Sequence, residues 1–388
     1  MHVVRNGIWM NEELSIDYNF LKKTWNLKTE LPVNSSIIYS TNIFDPLNKD
    51  LSDHLEHNRL IILIDKKVYK LYKKEMKNYF NSNMIEYKIL EVDTGEENKN
   101  WKTVEKILHF FESVSVFRQE KIIIIGGGVL LDMGGFACSI YRRGIPYVKV
   151  PTTLLAIVDA SVGAKVGINH LDRRNRLGSY FPAIETLIDK SFVHTQEERE
   201  IVNGLGEIFK IAIIKSSELF NLLDLSFESL VKEKFQYGAV PVKVINLSIS
   251  LMLEELGPNL WEKNLKRAVD FGHTFSPVIE LKNIPNLLHG EAVALDCIFS
   301  SCLSFNRGYI DKEVLLNIIN VAKKLKLKTY HKDFTNFSLL KESMADAYKH
   351  RNGNQYLTLP IGIGSYKIFN DIEYTELKDA IKLFKEIN

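Results

Sequence analysis

The chain has 388 residues, which is enough for two domains at the usual size of roughly 100–200 residues each. Apolar residues make up 45% of it and charged residues 25%, a balance that excludes wholesale disorder and collagen-like repeats. Its 50 basic and 48 acidic residues leave a net charge of +2, so overall charge cannot hold a nucleic acid or an anionic membrane. We therefore expect neither as a partner, and an anionic ligand must be bound by local clusters.

Three cysteines, Cys138, Cys297 and Cys302, are widely scattered and form no CxxC pair. This pattern predicts small buried side chains in a reducing compartment. The N-terminus lacks the apolar stretch of a signal peptide. The longest apolar run, 122–131, contains three glycines and ends at Asp132, so it is too short to span a bilayer. These features predict a cytoplasmic protein.

The first half of the chain alternates between strand and helix patterns. A β-branched run at 60–64 ends at Asp65 and is followed by a lysine-rich helical stretch. Residues 103–113 carry apolar side chains at helical spacing, and 121–125 and 147–150 are short continuous apolar runs. Strands that alternate with helices predict a Rossmann-like α/β domain with a parallel sheet.

The pattern changes after about residue 190, where helical periodicity dominates and strand signals are few. The segments with this periodicity are 207–214, 219–230, 291–305, 312–325 and 374–387. We therefore predict an α/β domain over residues 1–190 and a mostly α-helical domain over 191–388. The site is expected in the cleft between them.

A glycine-rich segment, 126–132, follows a predicted strand and begins a predicted helix. Consecutive glycines let backbone N–H groups approach a phosphate, and the helix N-terminus favours negative charge. The segment is not a GxGxxG fingerprint, so a tight turn required only for packing stays open. Thr152 and Thr153 follow the next strand, at the sheet edge where α/β proteins bind ligands. Asp65 ends another strand and is placed to accept a hydrogen bond from a ribose hydroxyl.

Three residues form a candidate metal site. Glu207 lies three residues before Lys210 on a predicted helix, so both side chains share one face. His273 follows a glycine, and His289 lies at a predicted helix start. One carboxylate and two imidazoles are the ligands of a catalytic zinc-type site. Spacing alone leaves open that each histidine is a core or capping residue.

Basic and polar residues concentrate where the two halves are expected to meet. In a nearly neutral chain, such a cluster suggests recognition of a phosphorylated, hydroxyl-rich substrate. A solvated basic face is the alternative, especially for the run 172–176. The members are Arg142, Arg143, Asp159, Lys165, Asn169, Arg173, Arg174, Asn175, Arg176, Lys210, Arg267 and Asp270.

Seven motifs occur in an order that resembles the sugar phosphate cyclase superfamily, of which dehydroquinate synthase is the best-known member. The motifs are GGGVLLDMGGF, YRRG, VPTTLLAIVDASVGAK, NRLG, NGLGEIFK, DFGHTFSP and LLHGEAVA. The resemblance covers about residues 60–300. It implies an NAD-binding α/β domain, a helical C-terminal domain and a divalent metal, zinc or cobalt.

The resemblance also implies roles for individual residues. The metal ligands are Glu207, His273 and His289. The NAD contacts are Asp65, Glu96, Lys99, Gly127, Gly128, Asp132, Thr152 and Thr153. The substrate or the nicotinamide region is held by Asp159, Lys165, Asn175, Lys210 and Arg267. Arg143 matches an arginine that a dimer partner lends to the phosphate, which implies a homodimer, and Arg174 stands where many relatives have lysine.

Several positions depart from dehydroquinate synthase. Pro277 stands where that enzyme has a second histidine, Asp270 where it has asparagine, and His350 where it has a C-terminal lysine; a further lysine is missing near Met252. Fewer cations would leave a substrate carboxylate uncompensated. The pattern, with the string ELGPNLWE, instead resembles the 2-epi-5-epi-valiolone synthase branch, which cyclises sedoheptulose 7-phosphate. Asp270 is expected to bind a substrate hydroxyl.

That resemblance implies transient oxidation by NAD, β-elimination of phosphate, reduction and an intramolecular aldol addition. A 3-dehydroquinate synthase and a desmethyl-4-deoxygadusol synthase, which takes the same substrate as the valiolone branch, stay open as alternatives. A metal-dependent NAD alcohol or glycerol dehydrogenase would share the glycine loop and release NADH. An NAD-binding protein without chemistry is a further alternative.

Overall fold

The computed structural model describes residues 2–6, 13–19, 24–28, 32–171 and 173–387. It divides into two compact units, 1–36 and 37–388. The first unit holds three antiparallel strands in the order β1 (His2–Asn6), β2 (Glu13–Asn19) and β3 (Thr24–Lys28). All predicted site residues belong to the second unit.

The strands that follow are β4 (Ser36–Tyr39), β5 (Arg59–Asp65), β6 (Glu86–Val92), β7 (Ile122–Gly126), β8 (Tyr147–Pro151), β9 (Lys165–His170), β10 (Arg173–Tyr180), β11 (Glu185–Ile188), β12 (Leu357–Gly362) and β13 (Ser365–Phe369). Six of them form one sheet in the order β4-β11-β8-β7-β5-β6. Its pairs β5–β6, β5–β7, β7–β8 and β8–β11 are parallel. The predicted parallel sheet is confirmed.

The helices are α1 (Lys66–Ser82), α2 (Trp101–Ser113), α3 (Gly128–Ile140), α4 (Glu198–Lys215), α5 (Ser217–Leu225), α6 (Phe227–Val231), α7 (Val240–Leu256), α8 (Ser276–Lys282), α9 (His289–Asn306), α10 (Lys312–Lys324), α11 (Phe337–His350) and α12 (Tyr374–Glu386). The five segments after residue 190 with predicted helical periodicity all coincide with helices, namely α4, α5 with α6, α9, α10 and α12. The predicted helix over 219–230 is divided at Ser226 into α5 and α6.

The central strands are buried on both faces, which explains their continuous apolar sequences. In β5, Ile61 and Leu63 pack in one core with residues of α2 and α3. The alternate residues Ile62 and Ile64 pack on the other face with α1. Because successive side chains of a strand point to opposite faces, one five-residue run serves two cores.

Two antiparallel hairpins, β9–β10 and β12–β13, were not predicted. In the first, Gly167 and Gly178 face each other so closely that a Cβ at Gly167 would lie 2.6 Å from the carbonyl oxygen of Leu177. Strand β10 presents mostly exposed side chains, so its sequence lacks the apolar alternation of a half-buried strand.

A third core joins the helices of the second half, and it also includes Leu154 and Ile157 from before residue 190. The predicted boundary near residue 190 stays a prediction. The three cysteines are buried and free. Within the described part of the chain, we find no helix with the length and apolar character needed to cross a membrane.

Candidate functional site

The ends of three neighbouring strands form one edge of the sheet. Asp65 ends β5, Gly126 ends β7 and Pro151 ends β8, and the N–H of Thr152 donates to the carbonyl oxygen of Gly126 at 3.0 Å. We call Asp65, Gly126–Gly128 and Pro151–Thr153 the strand-end edge. Ligands of parallel α/β sheets bind outside such carboxyl ends.

Several polar atoms of the strand-end edge already form hydrogen bonds within the protein. Asp65 caps α1: its Oδ1 accepts from the N–H groups of Lys67 at 2.7 Å and Val68 at 3.1 Å, and its Oδ2 accepts from the hydroxyl of Thr94. The buried hydroxyl of Thr152 makes no hydrogen bond with any described residue. Asp65 therefore shapes the edge, whereas Thr152 has an unused polar atom.

Gly127 and Gly128 lie at the start of α3, where Gly127 is the N-cap and has no side chain to fill the cap. A Cβ added at Gly127 would approach Thr153 at 3.2 Å, and one at Gly128 would approach Ala160 at 3.3 Å. The helix start is therefore a narrow space between α3 and the segment after β8. Unpaired N–H groups in such a space favour an anion.

A partly buried network connects further predicted residues. The Nζ of Lys99 donates to the Oδ2 of Asp132 and to the Oδ1 of Asn175, both at 2.6 Å. Glu96 accepts from Asn169 at 2.8 Å and from the Nε of Arg174 at 3.3 Å. The structure thus brings together the predicted NAD contacts Glu96, Lys99 and Asp132 with the basic hairpin β9–β10.

The predicted metal ligands also lie together. The Nε2 of His289 is 3.2 Å and the Nε2 of His273 is 3.6 Å from the Oε1 of Glu207, and one ligand atom from each residue lies within 4.8 Å of the others. The Nζ of Lys210 is 2.5 Å from the Oε2 of Glu207. We call Glu207, Lys210, His273 and His289 the helical cluster.

Two glycines bring the helices of this cluster into contact. Gly206 precedes Glu207 on α4, and Gly290 follows His289 on α9. A Cβ at Gly206 would lie 2.2 Å from the carbonyl oxygen of Gly290, and a Cβ at Gly290 would lie 1.8 Å from that of Asn203. The N–H of Gly290 donates to the Oδ1 of Asn203 at 2.6 Å. The two backbones therefore touch beside a predicted ligand on each helix.

The hydrogen bonds of both imidazoles fix which nitrogen faces Glu207. The Nδ1 of His273 is 3.2 Å from the carbonyl oxygen of Phe271, and the Nδ1 of His289 is 3.0 Å from the Oε2 of Glu280. Carbonyl and carboxylate oxygens only accept, so each neutral ring donates from Nδ1. In the neutral ring the lone pair then lies on Nε2, which faces Glu207, as metal binding requires.

The side chain of Glu207 is only 3% exposed. Both its oxygens lie within ion-pair distance of a cation or an imidazole, yet neither accepts a hydrogen bond of good geometry from a described residue. A buried carboxylate without such partners is unusual. One oxygen and two nitrogen donors fit a divalent ion such as zinc. The histidines, 28% and 25% exposed, leave the cluster open to solvent on one side; that it holds a metal stays a prediction.

The ionisable groups of the cluster are strongly coupled. Burial acts to raise the pKa of Glu207, but Lys210 and both histidines outweigh it and lower this pKa well below its ordinary value. Burial also acts to raise the pKa of Glu280, which His289 and Arg174 lower to about 2. The cluster is therefore built around ionised carboxylates.

A second group of charges lies near Arg267. Glu262 contacts both Lys165 and Arg267. Asp270 is held by two arginines, since its Oδ1 is 2.7 Å from Nη2 of Arg267 and its Oδ2 is 3.1 Å from Nε of Arg351. We call these five residues the cation–carboxylate cluster. It combines three cations with two carboxylates.

Glu262, Glu280 and Arg351 were missed in the sequence. Glu280 had one signal, in that it is the sole charged residue of the segment 275–281 that follows His273. Arg351 immediately follows the predicted His350, so the motif was found but the neighbouring residue makes the contact. Glu262 is the last residue of the string ELGPNLWE, which carries part of the resemblance, but no role was predicted for it.

Three other predicted site residues lie outside the strand-end edge, the helical cluster and the cation–carboxylate cluster. Asp159 is half-buried in the turn after β8, where burial and the charge of Glu207 raise its pKa. Arg143 is exposed after α3 and makes no ion pair with a described residue. The side chain of His350 is 64% exposed and lies 3.5 Å from Asp346 of its own helix. Roles for Arg143 and His350 in the site stay predictions without a supporting contact.

Two family models match consecutive parts of the chain. The model of the 3-dehydroquinate synthase N-terminal domain matches residues 89–203, and that of the C-terminal domain matches 204–350. The chain belongs to the 3-dehydroquinate synthase family. The predicted membership of the sugar phosphate cyclases and the predicted fold class are both confirmed.

This family member is 38% identical over 379 residues to a 2-epi-5-epi-valiolone synthase of Actinoplanes sp., a match that covers 95% of each chain. It is 31% identical to a demethyl-4-deoxygadusol synthase of Trichormus variabilis, over 92% of this chain and 88% of that one. The solved structure of ValA, a 2-epi-5-epi-valiolone synthase from Streptomyces hygroscopicus subsp. jinggangensis with NAD⁺ and Zn²⁺ bound, is similar with a TM-score of 0.90. That match has 38% identity and covers 94% of this chain and 100% of ValA.

Proposed function

We propose that the protein is a 2-epi-5-epi-valiolone synthase that cyclises sedoheptulose 7-phosphate with loss of phosphate. The observation that carries this proposal is the helical cluster, in which an unsatisfied buried carboxylate faces two imidazole nitrogens. It occurs in a chain that is 38% identical, over 95% of its length, to a protein of that name.

Glu207, His273 and His289 would hold a divalent ion, zinc or cobalt. Such an ion, when bound, lowers the pKa of an alcohol on the substrate. Lys210 lies against the carboxylate and holds it in place, because its Nζ contacts the Oε2 of Glu207. The same ammonium offers a further N–H to a substrate oxygen at the open side of the cluster.

The strand-end edge would bind NAD. Bound NAD supplies a hydride acceptor that is regenerated within each turnover, so the net redox change is zero. The N–H groups at the start of α3 would bind the pyrophosphate, and the free hydroxyl of Thr152 gives a further polar contact. Asp65 would bind a ribose hydroxyl while it caps α1.

The cation–carboxylate cluster supports an uncharged substrate tail. Arg267 contacts Glu262 and Asp270, and Arg351 is paired with Asp270, so a substrate carboxylate would compete with carboxylates already in place. Lys165, Arg267 and Asn175 would bind the phosphate and the hydroxyls. Asp270 would accept from a substrate hydroxyl after one of its arginine contacts opens.

We extend the proposal to the larger organisation that the resemblance implies. Residues 1–190 would form the NAD-binding domain and 191–388 the metal- and substrate-binding domain, in a cytoplasmic homodimer. Arg143 of one protomer would then reach the phosphate in its partner's site. Its exposure, without an ion-pair partner in the described part of the chain, is compatible with that role.

The test is to incubate the protein with NAD and Co²⁺ or Zn²⁺, separately with sedoheptulose 7-phosphate and with the carboxylate-bearing sugar phosphate that is the precursor of dehydroquinate. We expect phosphate release and a cyclitol product from the first substrate alone. Turnover of only the second substrate would overturn the branch assignment. Steady accumulation of NADH would instead indicate a dehydrogenase.

A demethyl-4-deoxygadusol synthase is the second candidate, since one such protein is 31% identical to this chain. The resemblance implies the same substrate for both, so phosphate release does not separate them. The mass of the product does. We expect the mass of 2-epi-5-epi-valiolone, and a product with an additional loss of water would favour the second candidate.

A further inference from the structure

Glu280 lies on α8 with its side chain only 6% exposed and both carboxylate oxygens in use. Its Oε2 is 3.0 Å from the Nδ1 of His289, and its Oε1 contacts the Nη1 of Arg174. Among the described residues, neither the strand-end edge nor Glu207 forms a hydrogen bond or ion pair with it. Its effect on the site must therefore pass through the residues that it holds.

The contact with His289 determines the state of that ring. A carboxylate offers only acceptors, so Nδ1 carries a hydrogen, and in the neutral ring the lone pair is then on Nε2. The ring is also prevented from turning its Nδ1 towards Glu207. His273 has the same arrangement through the neutral carbonyl of Phe271, whereas His289 is oriented by a charged side chain. A charged acceptor makes the stronger hydrogen bond and raises the basicity of the ring.

Arg174 fixes the other end of Glu280. Its guanidinium contacts Glu280 of the helical half, and its Nε is 3.3 Å from Glu96 in the loop after β6. Because Glu96 is also bonded to Asn169 at 2.8 Å, Arg174 is held from two sides. A single chain of contacts thus extends from the loop beside the strand-end edge to the imidazole of His289.

We propose that Glu280 is a positioning residue that holds His289 in the orientation and tautomer needed for metal binding, and that Arg174 holds Glu280 for this task. The inference rests on the proposed function, in that the helical cluster must bind a divalent ion. It also gives Arg174 a task besides the expected one of contacting substrate.

The test measures Co²⁺ affinity and the visible absorption spectrum of the cobalt-loaded protein for Glu280→Gln, Glu280→Ala and Arg174→Met. The control is Glu120→Gln, which removes another buried carboxylate bonded to an arginine, Arg59, at the opposite ends of the strands. Loss of an outer-shell partner typically lowers metal affinity about 10- to 100-fold. We expect that loss in Glu280→Ala, a smaller one in Glu280→Gln and Arg174→Met, and an altered absorption spectrum in all three.

Glu120→Gln should keep the parent affinity and spectrum even if it unfolds more easily. Parent-like affinity and spectrum in Glu280→Ala would overturn the inference and leave the proposed function intact. If Glu280→Ala does not fold, the same result in Glu280→Gln and Arg174→Met would overturn it. A parent protein that binds no Co²⁺, or a His289→Ala variant that binds it normally, would remove the proposed function and this inference with it.

Discussion

The strand-end edge and the helical cluster are built in opposite ways. At the edge, the Oδ1 of Asp65 is held by neighbours in sequence, since it accepts from the N–H groups two and three residues later. In the helical cluster, Glu207, His273 and His289 come from distant parts of the chain and point at one another. Their buried carboxylate has no hydrogen bond of good geometry within the described structure.

The difference separates two kinds of buried polar group. Asp296 on α9 is as buried as Glu207, but its Oδ2 accepts from the N–H groups of Thr274, Phe275 and Ser276 at 2.6–3.0 Å. Asp296 therefore stabilises the turn that follows His273. Glu207 is kept buried without such N–H donors, beside one ammonium and two imidazoles, and a buried carboxylate in that setting is where a ligand is expected.

The largest expected effect tests how the helical cluster is built. Gly290→Ala places a Cβ 1.8 Å from the carbonyl oxygen of Asn203, so α4 and α9 must separate. We expect the free energy of unfolding, measured in urea, to fall by about 3 kcal/mol. In Gly257→Ala the new Cβ meets no atom within 4 Å, and we expect a change within about 0.5 kcal/mol. Equal stability of the two variants would contradict the close crossing.

The next effect concerns metal binding. Glu207→Gln keeps the shape of the side chain but removes the charged donor of the cluster. We expect Co²⁺ affinity, measured by competition with a chelator, to fall by more than about 100-fold. Loss of an outer-shell partner lowers metal affinity by about 100-fold at most, and loss of a ligand should have a larger effect. Turnover of sedoheptulose 7-phosphate should be lost as well. Glu120→Gln serves as the buried control, and unchanged affinity in Glu207→Gln would remove the proposed ligand.

A smaller effect separates the two tasks of Asp65 at the strand-end edge. Asp65→Ser keeps an N-cap for α1 but removes the carboxylate. The free energy of unfolding should therefore stay the same. NAD affinity, measured by calorimetry, should fall about 10-fold, which corresponds to one lost hydrogen bond to a charged group. Asp65→Ala should lose the cap too and cost about 1 kcal/mol of stability. Normal NAD binding by Asp65→Ser would show that this carboxylate only caps the helix.

The smallest effect concerns a buried amine beneath the strand-end edge. Lys149 on β8 donates to the carbonyl oxygens of Ala160 at 3.0 Å and Gly163 at 3.1 Å, and burial lowers its pKa to about 8. Above that pH the unfolded chain binds the proton more tightly than the folded one, so stability rises with pH. Between pH 7 and 9 we expect a gain of about 1 kcal/mol in the free energy of unfolding.

In Lys149→Met that gain should be absent, whereas Lys88→Met, which removes an exposed amine, should keep it. Equal changes in the stability of the parent and of Lys149→Met between pH 7 and 9 would show that the amine is not the source of the gain.

The sequence predicted best what depends on local pattern. The runs of β5 and β7 are apolar because both faces of these strands are buried, and the glycines after β7 mark the start of α3. The grouping of Glu207, His273 and His289 came from the family resemblance, since spacing alone left it open.

What could not be predicted depends on pairs far apart in the chain. Glu280 meets Arg174 across 106 positions, and Arg351 meets Asp270 across 81. Neither pair has a local periodicity that would reveal it. The hairpin β9–β10 was missed for a different reason, because the exposed and mostly polar side chains of β10 give no alternation between a buried and a solvated face.

The crossing at Gly206 and Gly290 has a consequence for ion exchange. At this crossing the two backbones are in direct contact, so no compressible layer of side chains separates α4 from α9. The backbone positions of Glu207 and His289 are thus held at a fixed distance from each other. Ions of different radius must be accommodated by side-chain torsions, and the main chains of zinc- and cobalt-loaded protein should superpose at this crossing.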